Sequence, residues 1–95
     1  MAFNGTEGSS ITRAEAATMT AADTGAIHAV FFGKDILNLI LAQTGCEGIR
    51  FYFAVNNGDR TLVAVGASAN EDSMVTGVIA DYAKPCPTHC GVTSF

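Results

Sequence analysis

The dipeptide Asn57-Gly58, placed between two alternating segments, restricts what this chain can fold into more than any other feature. Asn and Gly tolerate the positive φ values that a type I′ turn requires. Residues 49–55 alternate before the turn, with aromatic and aliphatic side chains on one face, and residues 61–67 return after it. The sequence therefore predicts an antiparallel β-hairpin.

The turn also determines which side chains face each other across the hairpin. Counting outward from the tip places Phe53 opposite Leu62 and Phe51 opposite Ala64. The aromatic face then has smaller side chains opposite it, and we expect a helix to pack there.

Two helices are predicted before the hairpin. Thr12 and Glu15 have the spacing of a capping box, which indicates the start of a short first helix. Residues 26–43 repeat apolar side chains at helical spacing and predict one long amphipathic helix. The sequence does not decide whether residues 74–82 form a third strand or a helix, because Gly77 interrupts a run that otherwise favours a strand.

A chain of 95 residues has room for one domain. The predicted fold class is α+β: a short N-terminal helix, then one long amphipathic helix packed on an antiparallel hairpin or three-stranded sheet. We expect an N-terminal arm over residues 1–11, a single α+β domain over residues 12–84, and an irregular Cys/Pro tail over residues 85–95.

The charge pattern argues against several classes of partner. The five Lys and Arg residues are scattered and the formal net charge is −4, so no basic stripe is available for nucleic acid or an anionic membrane. No apolar stretch is long enough to insert into a bilayer. The N-terminus lacks a signal-peptide pattern, which makes the cytoplasm the default expectation and leaves export by another route open.

No sequence motif indicates an enzyme or a cofactor. Cys46 follows the predicted helix C-terminus, where the helix dipole and Glu47 both disfavour a reactive thiolate. We therefore expect Cys46 to pack under the hairpin, and we predict a non-enzymatic protein.

Cys86 and Cys90 lie four residues apart with His89 between them. One alternative is a Cys86–Cys90 disulfide that closes a very short loop. Another is a metal site that combines both cysteines with Cys46 and a histidine, His89 or His28, although this spacing matches no zinc motif. Free thiols in a turn are the third alternative, and no metal is predicted.

The composition favours contacts with another copy of the chain. It is 48% hydrophobic and only 15% charged, which is a low charge for a small monomer. Open sheet edges also invite strand addition. Six apolar residues on the polar side of the long helix or on the second sheet face are candidates for self-association: Phe31, Phe32, Leu39, Tyr52, Val63 and Val65.

These observations predict a self-associating structural subunit, as a homo-oligomer or a filament of copies of itself. Burial of the helix on all sides by the arm and tail would remove Phe31 and Phe32 from that surface. A small metal-binding or thiol-redox module and an adaptor for another, unidentified protein are the alternative functions.

Segments 31–37 and 41–50 resemble a group of small bacterial proteins. The shared features are a Phe-Phe-Gly helix, a Gly-Cys-x-Gly-Ile-Arg junction, a hairpin and a Pro-Cys-Pro tail, over roughly residues 28–91. That group has no established activity, so the resemblance implies no catalytic residues. It implies one shared architecture that includes Gly33, Cys46, Gly48, Arg50 and the Cys86–Cys90 tail.

Overall fold

The computed structural model describes residues 2–93 as two helices, a three-stranded antiparallel sheet and a two-stranded antiparallel sheet. The elements in chain order are α1 (Arg13–Ala21), β1 (Ala29–Phe31), α2 (Lys34–Leu41), β2 (Cys46–Asn56), β3 (Asp59–Ser68), β4 (Ile79–Ala80) and β5 (Lys84–Cys86). The predicted combination of helix and antiparallel sheet is confirmed.

The hairpin of β2 and β3 is the longest paired unit of the structure. Asn57 and Gly58 have φ values of 53° and 81°, the left-handed conformation that the predicted turn requires. Phe53 pairs with Leu62, and the next pair on the same face also matches the prediction. The short strand β4 joins the other side of β3, so the sheet order is β2-β3-β4.

Helix α2 packs on the aromatic face of the hairpin and forms a small core there. Ile40, Ala64 and Ala80 are buried at its centre. Partly buried side chains surround them: Phe32, Ile36, Cys46, Ile49 and Val78. The 8 residues of α2 span about 12 Å, whereas the 11 residues of β2 span about 36 Å. The helix therefore leaves the hairpin tip uncovered.

The prediction of one long helix over residues 26–43 is wrong. Ala29–Phe31 is a strand that pairs with Lys84–Cys86, and the helix begins only after Gly33, its N-cap. Val30 and Phe31 have side chains that favour strands, and a distant segment supplies the backbone partner. The helical wheel could not include that partner.

The remaining predicted segments are the first helix, residues 74–82 and the tail. Helix α1 has the predicted capping box: Glu15 N donates to Thr12 Oγ1, and Thr12 N donates to Glu15 Oε1, both at 3.1 Å. Within residues 74–82, only Ile79–Ala80 is a strand and none is helical. The expected tail boundary at residue 85 lies inside β5, so the tail starts as part of a sheet.

Candidate functional site

Strands β1 and β5 place a histidine beside the two tail cysteines. Ala29 is paired with Cys86, and the backbone N–H of His28 donates to the Cys86 carbonyl at 3.0 Å. This register brings the imidazole to the Cys86 sulfur: His28 Nε2 and Nδ1 lie 3.8 and 4.0 Å from Cys86 Sγ. Two segments 58 residues apart in sequence therefore meet at one point.

The turn after β5 brings Cys90 to the same point. His89 N donates to the Pro85 carbonyl at 2.8 Å, which closes the turn and leaves the Cα atoms of Cys86 and Cys90 4.7 Å apart. The two cysteines form a disulfide, the first alternative that their spacing suggested. Cys86 is buried, whereas Cys90 and His28 are exposed. One ligand atom from each of the three residues lies within 4.8 Å of the others.

The metal group that the sequence suggested, Cys46 with Cys86, Cys90 and His89, is not brought together. In the described part of the chain the compact group is His28, Cys86 and Cys90. Cys46 starts β2, packs against the α2 core, and its Sγ lies 3.1 Å from the Gly48 carbonyl oxygen. Selecting His28 over His89 would have required knowing that residues 29–31 pair with residues 84–86.

A depression of about 860 Å³ lies between α1 and the β1–β5 sheet. His28, Cys86 and Cys90 all line it, together with residues of α1 such as Met19. The sulfur and imidazole group is thus open to small molecules from one side.

A hydrogen-bonded network on the second face of the hairpin links Arg50, Ser73 and Tyr52. Arg50 Nη1 donates to Ser73 Oγ at 3.0 Å, and Ser73 Oγ lies 2.6 Å from the Tyr52 hydroxyl. The Ser73 contact, reinforced by the Arg50 charge, lowers the pKa of Tyr52 below its usual value. The guanidinium of Arg50 also lies 5.4 Å from the centre of the Phe3 ring. This network fastens the loop after β3, and the arm, to the sheet.

The six predicted self-association residues fall into two groups. Phe31, Leu39 and Tyr52 are exposed. The other three are less accessible: Phe32 packs against the core, Val63 is half-buried, and Val65 is only 2% exposed. Val65 and Val63 share one face of β3, so the central position of this strand does not by itself bury a side chain.

One exposed apolar surface was not predicted from the sequence, and it lies on β2. Phe53 is 79% exposed and Val55 is 74% exposed, and Phe51 is also exposed. These residues were placed on the face where a helix packs, but α2 is too short to reach them. The alternation of β2 predicted the correct face. That part of this face is left uncovered is evident only from the length of α2 in the structure.

Comparison of the chain with protein-family models, with curated proteins and with solved structures gives no match. Between residues 2 and 93, neither helix has the length and apolar character needed to cross a bilayer. Two features of the chain itself bear on its function: the exposed β2 surface and the His28–Cys86–Cys90 group.

Proposed function

We propose that this protein is a non-enzymatic structural subunit that associates with copies of itself through strand β2. The observation that carries this proposal is the exposure of Phe53 and Val55 on a strand at the edge of the sheet. Contiguous apolar surface that a single chain leaves in water is typical of an association site.

The edge of β2 supports the proposal through its backbone. Among residues 2–93, β2 pairs with β3 alone, so its outer N–H and C=O groups have no strand partner there. Proteins that avoid edge-to-edge pairing commonly place Lys or Pro on such strands. β2 contains neither, and its two charged residues, Glu47 and Arg50, lie in its first half. The half nearest the hairpin tip is uncharged.

A second copy of the chain is the occupant that fits this edge. When β2 pairs antiparallel with β2 of another copy, the backbone N–H and C=O groups at both edges gain hydrogen-bond partners. Each copy then uses the same surface, as a two-fold interface requires. This pairing joins two three-stranded sheets into one six-stranded sheet and places Phe53 and Val55 of each copy beside apolar side chains of the other. Growth into a filament requires a second contact, and the exposed Phe31 and Leu39 provide apolar surface for it.

The test is the molar mass of the purified protein, measured by size-exclusion chromatography with light scattering over a range of concentrations. Substituting Val55→Lys removes an apolar side chain from the edge strand and places a lysine there, which disfavours pairing with another strand. Burying one valine stabilises by about 1.5 kcal/mol, so the loss of two per dimer weakens Kd on the order of 100-fold. We expect this variant to remain monomeric where the unmodified protein is associated.

Val75→Lys is the matched control, because Val75 is 65% exposed and lies outside every strand. We expect it to leave the molar mass unchanged. A native protein that is monomeric at the highest concentration would refute self-association. Equal loss of assembly in both variants would refute the role of the β2 edge. A stable complex with a different protein instead would favour the adaptor function.

A further inference from the structure

We propose that His28, Cys86 and Cys90 form a Zn²⁺ site when the Cys86–Cys90 disulfide is reduced, and that the disulfide is the form that excludes the metal. This inference does not depend on the proposed self-association, because the group lies on the β1–β5 sheet and not on β2.

The ligand atoms already lie near the separations that zinc requires. Zn–S and Zn–N bonds of about 2.3 and 2.0 Å at a tetrahedral angle place sulfur about 3.5 Å from nitrogen and about 3.8 Å from a second sulfur. His28 Nε2 lies 3.8 Å from Cys86 Sγ. Once the S–S bond is broken, a Cα–Cα distance of 4.7 Å allows Cys90 Sγ to move to the second position.

The backbone holds these ligands independently of the disulfide. The pairing of β1 with β5 and the hydrogen bond from His28 N to the Cys86 carbonyl maintain the position of His28. The hydrogen bond from His89 N to the Pro85 carbonyl maintains the turn that carries Cys90. A reduced chain therefore keeps the three ligands close together, with little ordering left for the metal to impose.

The set of ligands also indicates the kind of metal. Two thiolates and one imidazole suit Zn²⁺ rather than the oxygen-seeking Mg²⁺ or Ca²⁺. Three protein ligands leave the fourth tetrahedral position to water or another small ligand, which can reach the group through the adjoining depression.

The conversion between the two forms balances with a dithiol as the reductant. The dithiol transfers two electrons and two protons to the S–S bond, which breaks to give the Cys86 and Cys90 thiols, while the dithiol becomes a disulfide. Zn²⁺ then displaces one proton from each thiol and binds both sulfurs and the neutral His28 imidazole. In the reverse direction the disulfide form of the dithiol accepts two electrons from the Cys86 and Cys90 thiolates and two protons from water, which re-forms the Cys86–Cys90 bond and releases Zn²⁺.

The experiment titrates Co²⁺, a spectroscopic probe for zinc sites, into the full chain after dithiol reduction and anaerobic removal of the reductant. We expect one Co²⁺ per chain, with intense tetrahedral d–d bands and thiolate charge-transfer bands that Zn²⁺ abolishes by displacement. The oxidised chain should show neither band. Absence of thiolate charge-transfer bands from the reduced chain would overturn the proposal.

Variants separate this group from the other candidate ligands. We expect His28→Gln to weaken Co²⁺ binding at least about tenfold, because losing a residue that only hydrogen-bonds to a metal ligand already weakens metal affinity about 10- to 100-fold. Cys90→Ser, at an exposed position, should weaken Co²⁺ binding and reduce the charge-transfer bands to at most those of the one remaining thiolate in a folded chain. His89→Gln and Cys46→Ser are the matched controls, and both should bind like the unmodified protein. Loss of binding in either control that equals the loss in His28→Gln would refute the assigned ligands.

Discussion

Gln43 connects the end of α2 to the segment that precedes β4. Its Nε2 donates to the Ile40 carbonyl at 2.9 Å, and its Oε1 accepts the backbone N–H of Val78 at 2.8 Å. The Val78 group is partly buried and follows a loop without regular structure. Gln43 therefore supplies one of the tertiary hydrogen bonds that hold this loop beside the core, together with the bond from Met74 N to the Gly66 carbonyl.

We expect Gln43→Met to destabilise the protein by about 1–3 kcal/mol, the cost of leaving a buried donor without an acceptor. Methionine keeps the length and most of the volume of the side chain, so the loss reports the hydrogen bond rather than a cavity. The Ile40 carbonyl also accepts the Gln43 backbone N–H at 3.3 Å and keeps that partner in the variant. Losing the hydrogen bond from Gln43 Nε2 therefore contributes less to the destabilisation. Domains of this size have a free energy of unfolding of about 5–14 kcal/mol, which makes the loss a substantial fraction.

The assay is thermal and urea-induced unfolding followed by circular dichroism. For a domain of this size each kcal/mol lowers Tm by about 4–8 °C, so we expect a decrease of about 4–24 °C. Asn38→Met is the matched control, since Asn38 is an exposed amide on α2 and should change stability by no more than about 0.5 kcal/mol. A Gln43→Met variant as stable as this control would refute the reasoning.

Two further outcomes follow from close contacts and charge. A Cβ atom at buried Gly66 would lie 3.0 Å from Cys46 Sγ. Gly66→Ala should therefore lower the free energy of unfolding, measured in urea, by about 1–3 kcal/mol. Gly48→Ala is the control and should be tolerated, because a Cβ atom there would meet open space. The Gly25 backbone N–H and Arg60, 3.0 Å away, lower the pKa of Asp23. Because the pKa of Asp23 is lower in the folded state, its ionised carboxylate stabilises the fold fully above about pH 4, and this stabilisation is lost as the pH falls through the folded-state pKa. The Tm advantage of the unmodified protein over Asp23→Asn should therefore vanish in acid. A pH-independent difference would contradict this linkage.

The hairpin was predictable because all of its determinants are local. Asn57-Gly58 selects the turn, and the alternation around it selects the faces, so Phe53 is correctly placed opposite Leu62. The capping box of Thr12 is similar, since its two partners lie within one helical turn. Neither feature needs information from elsewhere in the chain.

The candidate site was only partly predictable for the opposite reason. The sequence drew attention to Cys86 and Cys90, and it offered both His28 and His89 as ligands without deciding between them. His28 reaches Cys86 because residues 29–31 exchange backbone hydrogen bonds with residues 84–86, a pairing that helical periodicity concealed. In the same way, the open face around Val55 exists because the helix that was expected to cover it is only eight residues long.

The sequence by itself determined the mixed fold class, the hairpin with its register, and the start of the first helix, because turn geometry and capping act over a few residues. Tertiary structure decided where α2 begins, that β1 is a strand, which residues remain exposed, and which histidine lies beside the cysteines. Those outcomes depend on competition between a local helical preference and backbone pairing with a distant strand. A segment of three residues carries too weak a preference to settle that competition before its partner is in place.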